Sequence, residues 1–180
     1  MKLLLYCTKS KPYLVDLRKY PQYIKNCGLS DINTEWTNLN GKIVAECDFE
    51  VEKMGLDTGK GLEFDKGFNE ESQLELFEIA KYVGNNYYYA IHIKNLHIFD
   101  KPKELGDYYT LPKKMNTFYG CTYVSASLDK APQNMMYVVD DNEEKKVLIS
   151  IQPQWLCKIL NGEKTIEIRK KLLKEMLKNE

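Results

Sequence analysis

Lys164, Glu167 and Arg169 stand within six positions of one another in a chain of 180 residues. Cationic side chains of this kind can hold a phosphate, and arginine can do so through two parallel hydrogen bonds. A carboxylate beside a lysine can accept from the edge of a nucleobase or act as a general base. Ile166 and Ile168 alternate with Thr165, Glu167 and Arg169, so a strand here turns the isoleucines to one face and the three polar residues to the other. Lys164 precedes the point where this alternation settles, which leaves its direction open. Spacing alone does not lift the site above the plain reading of Glu167 and Arg169 as a structural ion pair worth little.

The preceding residues would have to position these groups. Val147 to Ile151 is an apolar, β-branched run and predicts a strand. Pro153 suits a first helical turn, and Trp155, Leu156, Ile159 and Leu160 then recur at helical spacing as one buried stripe. Asn161-Gly162 stops that helix, since glycine tolerates the left-handed backbone of a helix end. Strand, short helix, tight turn and second strand therefore follow one another from 147 to 169.

Elsewhere the residues able to do chemistry are less organised. His92 and His97 have no motif around them and read as strand histidines. The five cysteines, Cys7, Cys27, Cys47, Cys121 and Cys157, are scattered and form no Cys-x-x-Cys pair. That spacing argues against a disulfide framework and a structural zinc site, and no cofactor is expected. Tyr87-Tyr88-Tyr89 could stack on bases, although tyrosines on a strand are more often core material. The formal net charge is zero, so no global field marks a nucleic-acid binder. Acids nevertheless dominate from Glu46 to Glu78 and bases from Lys145 onward, and a basic end suits local phosphate contact as well as it suits a solvated helix. No apolar run is long enough to span a bilayer, and Tyr6-Cys7-Thr8-Lys9 cuts short the signal-like start Met1 to Leu5. A cytoplasmic protein without a membrane partner is expected.

The rest of the chain predicts strands at Lys2–Cys7, Lys42–Met54, Tyr87–Phe99, Tyr119–Ser125 and Met135–Val139. In the second of these, Ile43, Ala45, Cys47, Phe49 and Val51 share one face. An amphipathic helix is expected over Glu71–Val83, with Leu74, Phe77, Ile79, Ala80 and Val83 inward, Ser72 or Asn69 as its cap and Gly84 as its stop. Ser10–Asn40 reads as a long loop and Gly55–Asn69 as a flexible connector. Asp100-Lys101-Pro102 reads as a turn, Asp140–Lys145 as a charged hairpin or linker, and Lys170–Leu177 as a basic helix. Several strands, two or three helices and no βαβ alternation predict a single α+β domain over 1–180 or a small barrel.

The pattern from 147 to 169 resembles the signature of the ASCH family, a branch of the PUA-like β-barrels. It is carried by Leu148 to Pro153 followed by Gly162-Glu163-Lys164-Thr165-Ile166-Glu167-Ile168-Arg169. Other stretches are similar to ASCH material of phage and prophage type from low-GC Gram-positive bacteria. They are Leu5 to Lys9, Gly41 to Glu46, Tyr89 to Leu96 with Phe99 to Leu105, and Lys130 to Val138. The order departs from the family, whose signature opens the domain. Either the chain is a circular permutant, with Val147–Ile151 packing beside Leu3–Cys7 of its own chain, or the signature begins a truncated second domain that swaps with another copy. Exposure of Trp155, Leu156, Ile159 and Leu160 in the second case favours the first.

The resemblance implies a small PUA-like β-barrel with a basic C-terminal helix. It also implies a cleft in which Lys164, Glu167 and Arg169 meet Lys9, Tyr6, Thr8 and Gln152. Its first functional implication is binding of RNA or a modified nucleoside. Some ASCH proteins instead deacetylate acetylcytidine with a lysine, a threonine nucleophile and a distant glutamate. Lys164 matches that lysine, but Glu167 occupies the threonine's position, and Thr165, two residues earlier, is a poor substitute. Nuclease activity, and a phage accessory protein that binds a host protein through its acidic stretch or basic tail, are the other expectations.

Overall fold

The computed structural model describes residues 1–9, 39–55, 66–84 and 87–178. Most of the expected loop Ser10–Asn40 and connector Gly55–Asn69, residues 10–38 and 56–65, lies outside them, and Lys66 to Asn69 of that connector is helical. The described chain is α+β, and nine strands and three α-helices are assigned in it. Strands β1 (Lys2–Cys7), β2 (Ile43–Gly55) and β3 (Tyr87–Lys103) form an antiparallel succession. Short β4 (Tyr109–Thr110) and β7 (Met135–Val139) precede β8 (Lys145–Ile151) and β9 (Ile166–Arg169). These seven make one sheet in the order β4-β7-β8-β1-β2-β3-β9, and β5 (Lys113–Thr117) with β6 (Gly120–Val124) makes a separate pair.

β1 runs parallel to β8, with Leu3 opposite Val147 and Cys7 opposite Ile151. The strand before the helix thus packs beside Leu3–Cys7 of the same chain. Both strands are apolar on both faces, as expected where sheet lies between two packed layers. Leu3, Leu5, Cys7, Val147, Ile149 and Ile151 enter the main core with α3 (Pro153–Leu160). Leu4, Tyr6 and Leu148 enter a second cluster on the opposite face.

A closed barrel was the finer expectation, and the sheet is open. β8 is paired with β1 on one edge and with β7 on the other, which leaves no edge for β9. The sheet nevertheless curls. Four strand spacings separate β8 from β9, roughly 19 Å in a flat sheet, yet Arg169 on β9 donates from Nη2 to the Ser150 carbonyl of β8 at 2.7 Å. A side chain, not a ladder, bridges the gap.

Four local expectations are corrected. The helix over 71–83 is two: α1 (Lys66–Ser72) and α2 (Leu76–Val83), broken where Gln73 takes a left-handed φ of 57°. Glu75 and Glu78 form the capping box of α2 in place of Ser72 or Asn69, while Gly84 ends it as expected at φ 62°. Ile79 and Val83 are buried, whereas Phe77 is 69% exposed and Ala80 faces solvent. The period of β2 breaks at Val44: Leu5 faces Ala45 but Tyr6 faces Ile43, so one residue bulges and sends Ile43 to the second cluster. β3 continues through Asp100-Lys101-Pro102 to Lys103. The end of the chain forms a short 3-10 turn, Lys174–Lys178, where a basic helix was expected. Among the described residues, no helix is long and apolar enough to cross a membrane.

Candidate functional site

The turn after α3 delivers Lys164 inward. Gly162, at φ 79°, lets the chain reverse, and the amides of Glu163 and Lys164 both donate to the Lys158 carbonyl. β9 then pairs with β3, placing Glu167 opposite Ile91 and therefore on the side of the main core. Ile166 and Ile168 take the other side, against Ile79, Val83, Tyr88 and Ala90.

Three buried charges result. Glu167 sits between its neighbours, 3.5 Å from Lys164 Nζ and 2.9 Å from Arg169 Nη2. Lys164, 2% exposed, donates to the Ser72 carbonyl at the end of α1 at 2.6 Å, where helix carbonyls favour a cation. Burial holds its ammonium below the ordinary lysine range, and Glu167 works against that shift. Arg169 also donates from Nη1 to Asn134 Oδ1 at 2.8 Å.

These groups line one side of a cavity of about 610 Å³, within the range of small-molecule sites. Trp155, Leu74 and Ile168 supply apolar wall, and Tyr82 and Glu78, one helical turn apart on α2, supply another part of it. Lys158 stands over the Trp155 ring at 5.3 Å and Lys170 over the Tyr82 ring at 4.9 Å. Thr8 Oγ1 and Arg169 Nε are both buried, and neither has a hydrogen-bond partner among the described residues. Both residues line the cavity, as do Gln133, Gln152 and Ser150.

Of the seven residues expected in the cleft, Lys164, Glu167, Arg169, Thr8 and Gln152 meet there. Tyr6 does not: it lies on the opposite face of β1 with Leu4 and Phe99. Lys9 does not line the cavity either; its side chain lies close against Gly41. Trp155, Tyr82 and Glu78 were not anticipated as site residues. Helical spacing marks Trp155 as core, and nothing in the sequence brings α2 to β9.

The histidines are accounted for by neighbours on β2. His92 lies 3.3 Å from Glu52 and His97 3.9 Å from Glu46. The acids of β2 are matched likewise, with Lys2 on Asp48 at 2.8 Å, Lys94 on Glu50 at 2.6 Å and Lys146 on Glu46 at 3.2 Å. Among the described residues, no three His, Cys, Asp or Glu are grouped to hold a metal ion.

The chain matches no family model, no curated protein and no solved structure.

Proposed function

We propose that this chain is an ASCH-type module, built on a PUA-like barrel left open at one seam, that binds a nucleobase carried by RNA or by a modified nucleoside. One observation carries the reading: two buried polar atoms without partners among the described residues, Thr8 Oγ1 and Arg169 Nε, belong to residues lining a cavity walled in part by Trp155 and Tyr82. Orphaned buried donors cost free energy until something pairs with them. A flat heterocycle with polar edges fits such a space, its face against indole or phenol and its edge toward Thr8, Glu167 or the Gln133 and Gln152 amides.

The charge balance favours a base over a phosphate. Ser72, Ser150, Asn134 and Glu167 already occupy the Lys164 ammonium and both Arg169 terminal nitrogens, and with Glu78 on the wall two carboxylates offset the two cations. Cationic reach lies instead with Lys170 beside the Tyr82 ring, and with Lys158, whose ammonium donates to the neutral Gln73 amide at 3.0 Å beside the Trp155 ring, where they would meet the phosphates of a strand that offers one base. A cytoplasmic location suits such a ligand.

Calorimetric titration with a panel of nucleosides, cytidine and acetylcytidine among them, and with short RNA tests the reading. Trp155→Leu is expected to weaken binding roughly tenfold or more by removing the stacking face. Thr8→Val, which removes only the hydroxyl, is expected to weaken it about fivefold. Absence of saturable binding by every nucleoside and RNA, or affinity unchanged in both variants, overturns the proposal.

A second reading, hydrolysis of a nucleoside amide, is favoured by the lowered ammonium of Lys164, because a lysine nearer neutrality can shuttle protons. Glu167 in place of a hydroxyl counts against it. Release of acetate from acetylcytidine in the same titration would put this reading first.

A further inference from the structure

The β5–β6 hairpin takes no part in the cavity. Its ladder runs from Lys113 opposite Val124 to Thr117 opposite Gly120, and its described side chains are all exposed. It is rooted on β4, where the Thr110 amide donates to the Ala126 carbonyl at 2.8 Å and the Ala126 amide to Thr110 Oγ1 at 3.1 Å. β4 joins β7 at Val138 and Val139, and Val139 lies opposite Lys145. Ser150 lies at the other end of β8, roughly 17 Å along the strand. The hairpin and the cavity are separate places on the molecule.

Ladder register leaves Phe118-Tyr119 as the two-residue loop at the tip. Phe118 is 98% and Tyr119 97% exposed, with their rings edge-to-face at 5.5 Å. Loops this short favour Asn and Gly, and rings at that exposure contribute nothing to packing. Tyr123, 70% exposed, pairs across the ladder with Lys114, so both project from one face. The segment Lys113–Val124 contains no acid. Neither Lys113 nor Lys114 forms an ion pair among the described residues, whereas Lys2, Lys42, Lys94, Lys145 and Lys146 all do.

We infer that the β5–β6 hairpin is a contact for single-stranded nucleic acid, with bases stacking on Phe118, Tyr119 and Tyr123 and phosphates meeting Lys113 and Lys114. Exposed aromatic platforms beside uncommitted cations are the two components of sequence-tolerant single-strand binding. The inference goes beyond the cavity reading and does not require a base to enter the cavity.

Fluorescence anisotropy of labelled oligouridylate and oligothymidylate with the full chain, over a range of salt, is the test. Phe118→Ser combined with Tyr119→Ser is expected to weaken binding roughly tenfold or more. Lys113→Gln with Lys114→Gln is expected to lower the slope of log affinity against log salt by about 1.4. Both pairs are expected to leave nucleoside titration of the cavity unchanged, and circular dichroism checks that each variant folds. Unaltered affinity in the aromatic pair, or an unaltered salt slope in the lysine pair, overturns the inference. So does an aromatic pair that keeps oligonucleotide affinity while losing binding to anionic phospholipid vesicles, or losing self-association in sedimentation. Hairpin-dependent oligonucleotide binding that is unchanged in Trp155→Leu and in Thr8→Val, with no nucleoside bound, would sink the cavity reading and leave this one standing.

Discussion

Glu167 is the residue on which the buried charges depend. It lies within ion-pair distance of both Lys164 and Arg169. Replacing it with Gln would leave two buried cations facing each other across a neutral amide. Breaking a buried pair from one side costs about 3–5 kcal/mol, and urea unfolding of Glu167→Gln is expected to show a loss of that order. Lys164→Met is expected to cost less, because Glu167 keeps Arg169 at 2.9 Å and a methionine still fills the space beside Trp155. If the two variants lose equal stability, the carboxylate is not the shared counter-ion. The arrangement also separates two tasks that the charges alone would confuse. Lys164 Nζ and the terminal nitrogens of Arg169 hold α1, β8 and β9 together, through Ser72 and Ser150, while the proposed ligand contact falls to Thr8 Oγ1, Arg169 Nε and the ring faces.

Each element presents these residues through a local device, and Gly162 is the one with least margin. Its φ of 79° is costly for a residue with a Cβ, although an added Cβ would have no atom within 4 Å. Gly162→Ala is therefore a purely conformational lesion, expected to cost about 1–2 kcal/mol and to lower the thermal midpoint without changing the fold, as calorimetry with circular dichroism would show. The same element was the most legible part of the sequence. Proline at the helix start, glycine at its end and strict alternation through Arg169 are local signals, and Pro153–Leu160 and Ile166–Arg169 follow them. Legibility failed where long-range contacts decide. The break at Gln73 separates residues whose spacing suits one helix, and Ile79 and Val83 reach the core after Glu75 restarts the turn. Tyr6 falls away from the cleft because alternation on β1 sets it with Leu4, whereas Thr8, two positions on, lies past the end of the strand and escapes that alternation. Tyr82 and Glu78 could not be read at all, since α2 meets β9 only through the tertiary fold. β5 went unseen because Lys113–Thr117 is largely polar and its described side chains are all exposed, which gives it no period.

On the scale of the whole molecule, the middle of the sheet is apolar enough to set its response to alkali. Cys7 and Cys47 are fully buried on adjacent strands, and burial pushes both thiols up to about 12 from an ordinary 9.0. Above pH 9.0 the unfolded chain gives up these protons and the folded chain does not, so stability present at neutral pH is lost as pH rises toward 12. Tyr88, pushed by burial to about 12 from 10.0, adds to the loss. Lys164 acts in the opposite sense, since its folded value is lowered and stability is regained as pH climbs to 10.5. Tyr6 and Tyr108, also raised by burial, act in the same direction as the thiols, so these acids outweigh Lys164, and the urea midpoint is expected to fall between pH 9 and pH 11, less steeply in Cys7→Ala combined with Cys47→Ala. A midpoint that rises over this window would contradict the burial of these groups. The parallel pairing of β1 with β8 also has a consequence during synthesis. Lys2 to Cys7 is made early, β2 can cover only one of its edges, and its other partner begins at Lys146. At about 5–20 residues per second, the leucine-rich edge waits roughly 7 to 30 s on the ribosome with its hydrogen bonds unmet. A nascent chain in that interval is a substrate for chaperones and a template for mispairing with its neighbours on the same message.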